Sequence, residues 1–236
     1  MKKLNTNFFI DLKKVDSNFD FCSDKISRIA QIAVEKKVDE TKNCPKQEQW
    51  EDYWSEIKSN KNKTPTFFNK KDNNLDKKEV FRYQGKFIES SNESLASDCA
   101  HEIIKNVLDY INIDFSSVVE LGCGNGHNLD YIKSLNKFDS INGCDFSPSA
   151  VSIIKEKGFG GFEFDMKRPS LSYLNENKLN NKDTIFFTSG SMEQLGAQWD
   201  SLFTFFSNSN VNYIFHIEPI LELYSDSRLE SLASSF

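Results

Sequence analysis

No stretch of this 236-residue chain approaches the roughly 18 consecutive apolar residues of a membrane-spanning helix, so the pattern excludes a transmembrane protein. Basic charge is also short. Lys and Arg number 29 against 35 Asp and Glu, a formal net of -6, the wrong sign for a chain held on nucleic acid by phosphate neutralisation. Histidine is scarce, and His101, His127 and His216 form no pair at short spacing, so no metal site is signalled. The five cysteines (Cys22, Cys44, Cys99, Cys123 and Cys144) are odd in number and contain no C-x-x-C, which points to free thiols. Before Asp11 only Phe8, Phe9 and Ile10 are apolar in a row, too few for the core of a signal peptide. The expectation is a cytoplasmic protein with neither membrane nor nucleic acid as partner.

What the chain does have is material for a core: hydrophobic residues make up 38%, with 21 Phe among them. It reads in two parts, an N-terminal helical and loop extension over 1–88 and an α/β domain over 89–236. In the extension, Ile26, Ile29, Ala30, Ile32, Ala33 and Val38 predict a helix over 23–38 behind a Ser23 or Asp24 cap. Trp50, Tyr53, Trp54 and Ile57 predict a second over 46–58, with the aromatics as core anchors. Ser90 and Glu93 have the spacing of a capping box for a third, whose stripe runs from Leu95 through Ile103, Ile104 and Leu108 to Ile111.

Five short apolar strands follow, at 117–121, 140–144, 161–164, 184–188 and 211–216, with crossover helices predicted over 128–135, 148–157 and 191–207. Strand and helix in alternation specify a Rossmann-like, doubly wound, mainly parallel sheet with helices on both faces.

The first of these strands runs through Val118, Val119, Glu120 and Leu121 into Gly122, Cys123, Gly124, Asn125, Gly126, His127 and Asn128. Alternating glycines before a helix permit positive φ and close approach of a ligand to backbone N–H groups. A dinucleotide fingerprint needs G-x-G-x-x-G, and here the third glycine comes one place early with His127 where the fingerprint puts it. An NAD oxidoreductase is therefore disfavoured but stays open. Asp145 ends the next strand, 23 residues beyond Gly122.

The segment Glu120-Leu121-Gly122-Cys123-Gly124-Asn125-Gly126 resembles the first motif of class I S-adenosylmethionine-dependent methyltransferases, which joins an acid to G-x-G-x-G. Asp145, Phe146 and Ser147 resemble the second motif, and the resemblance implies that Asp145 binds both ribose hydroxyls. Asp165 and Met166 stand where the third motif receives the adenine amino group and borders the ring, and Ser189 falls near the methionine portion. Asn125 and Asn128 belong to the glycine segment. Arg82, Tyr83 and Gln84, upstream of the third helix, are candidates for holding the methionine carboxylate. The implied cofactor is S-adenosylmethionine, with S-adenosylhomocysteine as product.

Plain structural roles compete with these. Asp145 could merely cap the helix starting near Pro148, Asp165 could open a turn toward Pro169, and Ser191 with Gln194 could form a capping box. For proton removal at the strand tips the candidates are His216 first, then Glu193 and Glu218. No metal is implied, since no acid precedes Glu193 after the fourth strand, and the Asn/Asp-Pro-Pro-Tyr/Phe signature of base methylation is missing. A small-molecule acceptor remains, methylated on oxygen or nitrogen, such as a sugar or another biosynthetic intermediate. The alternative is a cofactor-binding, catalytically idle partner subunit. The family's sheet ends in a hairpin, whereas the 19 residues after Ile217 suffice for one helix. Either the chain is truncated, or the exposed edge is covered by the N-terminal segment, by a second copy or by a partner subunit.

Overall fold

The computed structural model describes residues 13–15, 47–60, 79–83, 86–90 and 94–218. In chain order these form β1 (Lys13–Val15), α1 (Gln47–Ser59), β2 (Glu79–Tyr83), β3 (Lys86–Ser90), α2 (Leu95–Ile111), β4 (Ser117–Leu121), α3 (His127–Ser134), β5 (Ser140–Asp145), α4 (Pro148–Glu156), β6 (Gly160–Glu163), α5 (Leu171–Glu176), β7 (Thr184–Ser189), a 3-10 segment Met192–Gln198, α6 (Asp200–Ser207) and β8 (Tyr213–Ile217). The helix expected over 23–38 and the whole of 219–236 lie outside the described residues.

Two compact units interleave along the sequence. The described part of one comprises β1, β2, β3 and α2 as far as Asn106; the other comprises α1 and the chain from Val107 to Glu218. In the first unit the strands form an antiparallel sheet in the order β1-β3-β2, with Arg82 opposite Phe87 and Tyr83 opposite Lys86. This hairpin corrects the expectation of helices and loops alone. It corrects the Ser90 cap too, because Ser90 is the last residue of β3 and the following helix begins only at Leu95. Ser94 takes over at that end, its hydroxyl donating to Asp98 Oδ2 over 2.8 Å.

The second unit carries a five-stranded sheet in the order β6-β5-β4-β7-β8, every pair parallel. Strand order that reverses beside the first strand of the unit is the doubly wound Rossmann-like arrangement expected from the sequence. Central strands of such sheets are covered on both faces, and Val118, Val119, Leu121, Ile185, Phe186 and Phe187 are fully buried accordingly. One face packs Val119, Leu121, Cys144, Phe162 and Phe186 on Leu174, Leu195, Leu202 and Phe205. Cys123, Leu129, Ile154 and Phe159 form a second cluster.

Strand boundaries depart from expectation by one or two residues, and two connections differ. The span 191–207 is a 3-10 segment followed by a short helix, and α5 was not foreseen. The two edges of the sheet are β6 and β8. No helix among the described residues is long and apolar enough to cross a membrane, and Cys99, Cys123 and Cys144 are buried free thiols.

Candidate functional site

Ligands of doubly wound sheets bind beyond the carboxyl ends of the strands, at the point where strand order reverses. Here that point lies between β4 and β7, and the chain leaves β4 through the three glycines, all with positive φ (71°, 52° and 73°). The turn is pinned to the neighbouring strand: the N–H groups of Gly122 and Cys123 both donate to the Cys144 carbonyl, over 2.8 and 3.0 Å. Gly124 is irreplaceable for two reasons. Its φ of 52° suits no ordinary side chain, and a Cβ there would stand 2.5 Å from Trp54 Cζ2.

Asp145 is the polar centre of the tip. It is 5% exposed. Its Oδ2 accepts the Gly124 N–H and its Oδ1 the Ser147 N–H, each over 3.0 Å. Burial pushes its carboxyl up against the opposing pull of those backbone donors, and the nearby Glu51 charge adds to the rise. The helix-capping role considered for Asp145 belongs instead to Ser147, whose hydroxyl accepts from Ala150 N over 3.0 Å at the start of α4. The Phe146 N–H adds a third backbone pull, and the lone-pair positions of the carboxylate still leave acceptor capacity for a ligand.

Beside it, Glu120 is buried in β4, with Oε1 accepting from Asn128 Nδ2 over 2.7 Å while buried Oε2 has no protein partner. Burial, against the opposing Asn128 hydrogen bond and with the help of the Asp145 charge, lifts its carboxyl to about 8. Asn125 is spent locally, its Oδ1 accepting the His127 N–H over 3.3 Å. Phe146 is half-buried, following Asp145. Burial also drives the Cys123 and Cys144 thiols well above their ordinary range, so neither is a nucleophile at neutral pH.

Met166 is buried near the turn, with its Cε 3.5 Å from where a Cβ on Gly122 would stand. Asp165 does open a turn: Oδ1 accepts the Lys167 N–H at 2.9 Å and Oδ2 pairs with Arg168 Nε at 3.0 Å. The structural role anticipated for this acid is real, and its remaining lone pairs are all that an adenine amino group could use.

One contributor had no signal in the sequence. Glu51 of α1 accepts from the hydroxyls of Ser147 and Ser149, each over 2.6 Å, and from Ser149 N over 3.2 Å. Burial raises its carboxyl, but the hydrogen bonds from Ser147 and Ser149 outweigh that and hold it below the ordinary value. A carboxylate at the first turn of α4 also complements the helix dipole. Around this polar latch Trp54, Ile57 and Ala150 pack together with Trp50, Tyr53 and Ile153. The aromatics are core anchors as anticipated, but they anchor α1 to α4 and to the glycine turn.

At the other half of the strand tips, Ser191 does not cap the segment that follows; its hydroxyl donates to the Leu121 carbonyl over 2.8 Å, which ties the end of β7 to the start of the glycine turn. Glu218 Oε1 accepts the Ser191 N–H over 3.2 Å, and its buried Oε2 has no protein partner. His216 is exposed on β8 with Nδ1 2.9 Å from Thr188 Oγ1. Although the residue is exposed overall, the partial desolvation of its imidazole beside Thr188 lowers its affinity for a proton, and the Glu218 charge partly restores it. Ser189 ends β7 opposite Ile217 of β8. The Glu193 side chain and Gln84 lie outside the described residues; Arg82 and Tyr83 lie on β2 of the first unit, their side chains likewise undescribed. Among the described residues no three His, Cys, Asp or Glu side chains gather as a metal site.

No family model matches the chain, and no curated protein matches it. Among solved structures it is similar to an S-adenosylmethionine-dependent methyltransferase from Anabaena variabilis, at 14% identity and TM-score 0.37 over 81% of this chain and 60% of that one. It is similar to another from Archaeoglobus fulgidus, at 23% identity and TM-score 0.34 over 48% and 51%. A third is an amino pentose methyltransferase from Micromonospora echinaspora, bound to S-adenosylmethionine, at 16% identity and TM-score 0.32 over 45% and 50%. The chain spans less than two thirds of the length of each.

Proposed function

We propose that this chain binds S-adenosylmethionine at the β4–β5 tips and transfers its methyl group to an oxygen or nitrogen of a small molecule, a sugar or another biosynthetic intermediate. The observation that carries the reading is Asp145: a buried carboxylate at the strand tip, both oxygens held by backbone N–H groups, with acceptor capacity left over. A vicinal diol such as a ribose matches that pair of acceptors. Glu120 adds a buried carboxyl oxygen without a protein partner. Buried polar atoms are seldom left unpaired, and a carboxyl that keeps its proton near neutral pH fits a hydrogen-bond acceptor on the ligand, or a water.

The bound cofactor supplies an already activated methyl on a sulfonium. The residues of the chain hold the reactants in line, exclude water and, where the acceptor needs it, take a proton. His216, Glu193 and Glu218 are the groups proposed for the acceptor side. The second reading, a cofactor-binding but idle partner subunit, is favoured by one observation: Glu218 is already engaged by the Ser191 N–H.

Calorimetric titration with S-adenosylmethionine and S-adenosylhomocysteine tests the proposal. Micromolar binding, about -8 kcal/mol, weakened at least tenfold in Asp145→Ala, is the expected result. Absence of binding by both ligands overturns it. Binding without S-adenosylhomocysteine release across a broad acceptor panel selects the idle subunit.

A further inference from the structure

Parallel register places Cys144, Leu121, Thr188 and His216 in one row across β5, β4, β7 and β8, at the last residue of β4 and one residue before the other three strands end. His216 is thus two strands from Leu121, about 10 Å at the usual spacing, and on the same face. Thr188 in this row is fully buried, and among the described residues its hydroxyl has one hydrogen-bond partner, His216 Nδ1 at 2.9 Å.

The two directions of that bond are not equivalent. If Nδ1–H donated to Thr188, the threonine proton would be left buried without an acceptor, the arrangement folded proteins avoid most. If Thr188 donates, Nδ1 must be unprotonated and the neutral ring carries its proton on Nε2. Partial desolvation of the imidazole, which disfavours the doubly protonated cation, points the same way. Nε2 is then the one ring nitrogen open to a ligand, and it is a donor.

We propose that Thr188 is a positioning residue that fixes His216 in its Nε2–H form, so that His216 offers the methyl acceptor a hydrogen-bond donor and selects acceptors that present an oxygen lone pair there, a hydroxyl, carbonyl or carboxylate. The assignment of an acceptor to this N–H rests on the methyl-transfer reading; the tautomer does not. Proton removal, where needed, falls to another group. The Phe203 ring, 5.9 Å from the imidazole between centroids, flanks the same histidine.

The test is long-range proton–nitrogen correlation spectroscopy on the full chain labelled with 15N-histidine at pH 7.5, with His216→Gln to assign the signal among three histidines. The expected spectrum has a pyrrole-type Nε2 and a pyridine-type Nδ1 for His216. Thr188→Val, which keeps the shape and removes the hydroxyl, shifts that pattern toward an average of both tautomers, and Thr188→Ser restores it. A wild-type ring protonated at Nδ1, or doubly protonated, overturns the proposal, as does a Thr188→Val spectrum identical to wild type. If Thr188→Val fails to fold, the wild-type and Thr188→Ser spectra decide alone. Titration of the same labelled sample with S-adenosylmethionine separates the two ideas, because the fixed tautomer is expected whether or not the cofactor binds.

Discussion

The two halves of the strand tips are built by different rules. At β4–β5 Asp145 is buried and held by the backbone N–H groups of Gly124 and Ser147, and the glycine turn is held by the Cys144 carbonyl. At β7–β8 His216 is exposed and held by another side chain, Thr188. Backbone donors are fixed once the fold forms, so the first half is preorganised around charge. A side-chain pair is set by its own chemistry, so the geometry of the second half can be altered by few substitutions. The contrast teaches that one sheet can fix one half of its tips by backbone groups and leave the other half to side chains.

The strongest way to break this contrast is through glycine. Gly124→Ala meets both a positive φ and the Trp54 ring at 2.5 Å, whereas Gly190, also at positive φ (61°), has open space around it. Gly124→Ala should cost about 3 kcal/mol or more in urea unfolding and Gly190→Ala about 1 kcal/mol, the strain alone. Equal costs would mean that the α1 side is no more tightly built than the β7 side. Next in size is Asp145→Ala, where a tenfold loss of S-adenosylmethionine affinity corresponds to about 1.4 kcal/mol; His216→Gln should leave that affinity unchanged.

Glu120 sharpens the comparison through pH. Its carboxyl is raised from 4.5 to about 8 in the folded chain, so the native state holds a proton that the unfolded state has lost. Stability from this group is complete below about pH 4.5 and declines as pH rises toward 8. Glu120→Gln keeps a carbonyl for Asn128 and cannot ionise, so it should flatten that decline and gain about 1 kcal/mol at pH 8, as read from denaturant midpoints. The smallest expected effect is Glu51→Gln, a loss of up to about 1 kcal/mol near neutral pH. Because the Glu51 carboxyl is held low, its contribution is present above the unfolded value and fades as pH falls through the folded one, so the two chains should converge in acid.

What could be read from the sequence follows the same division. The strand, glycine turn and acid of β4–β5 are local requirements: positive φ selects glycine, a continuous apolar run marks a buried parallel strand, and the acid at its tip is adjacent to both. The β2–β3 hairpin escaped because Glu79, Arg82, Lys86 and Glu89 interrupt any alternation of apolar and polar residues. Ser90 reads as a cap by its spacing to Glu93, yet it ends a strand. Ser191 and Gln194 mislead in the same manner, since the serine hydroxyl found a better acceptor 70 residues away in Leu121. Glu51 with Ser149, and Thr188 with His216, are pairings across 98 and 28 residues that only the folded chain brings together.

The separation of Glu51 from Ser149 has a temporal meaning as well. At roughly 5 to 20 residues per second of synthesis, α1 is translated about 5 to 20 s before the helix that receives it. Throughout that interval Trp50, Tyr53 and Trp54 have no α4 to pack on. The contact between α1 and α4 therefore forms only once both helices have been made.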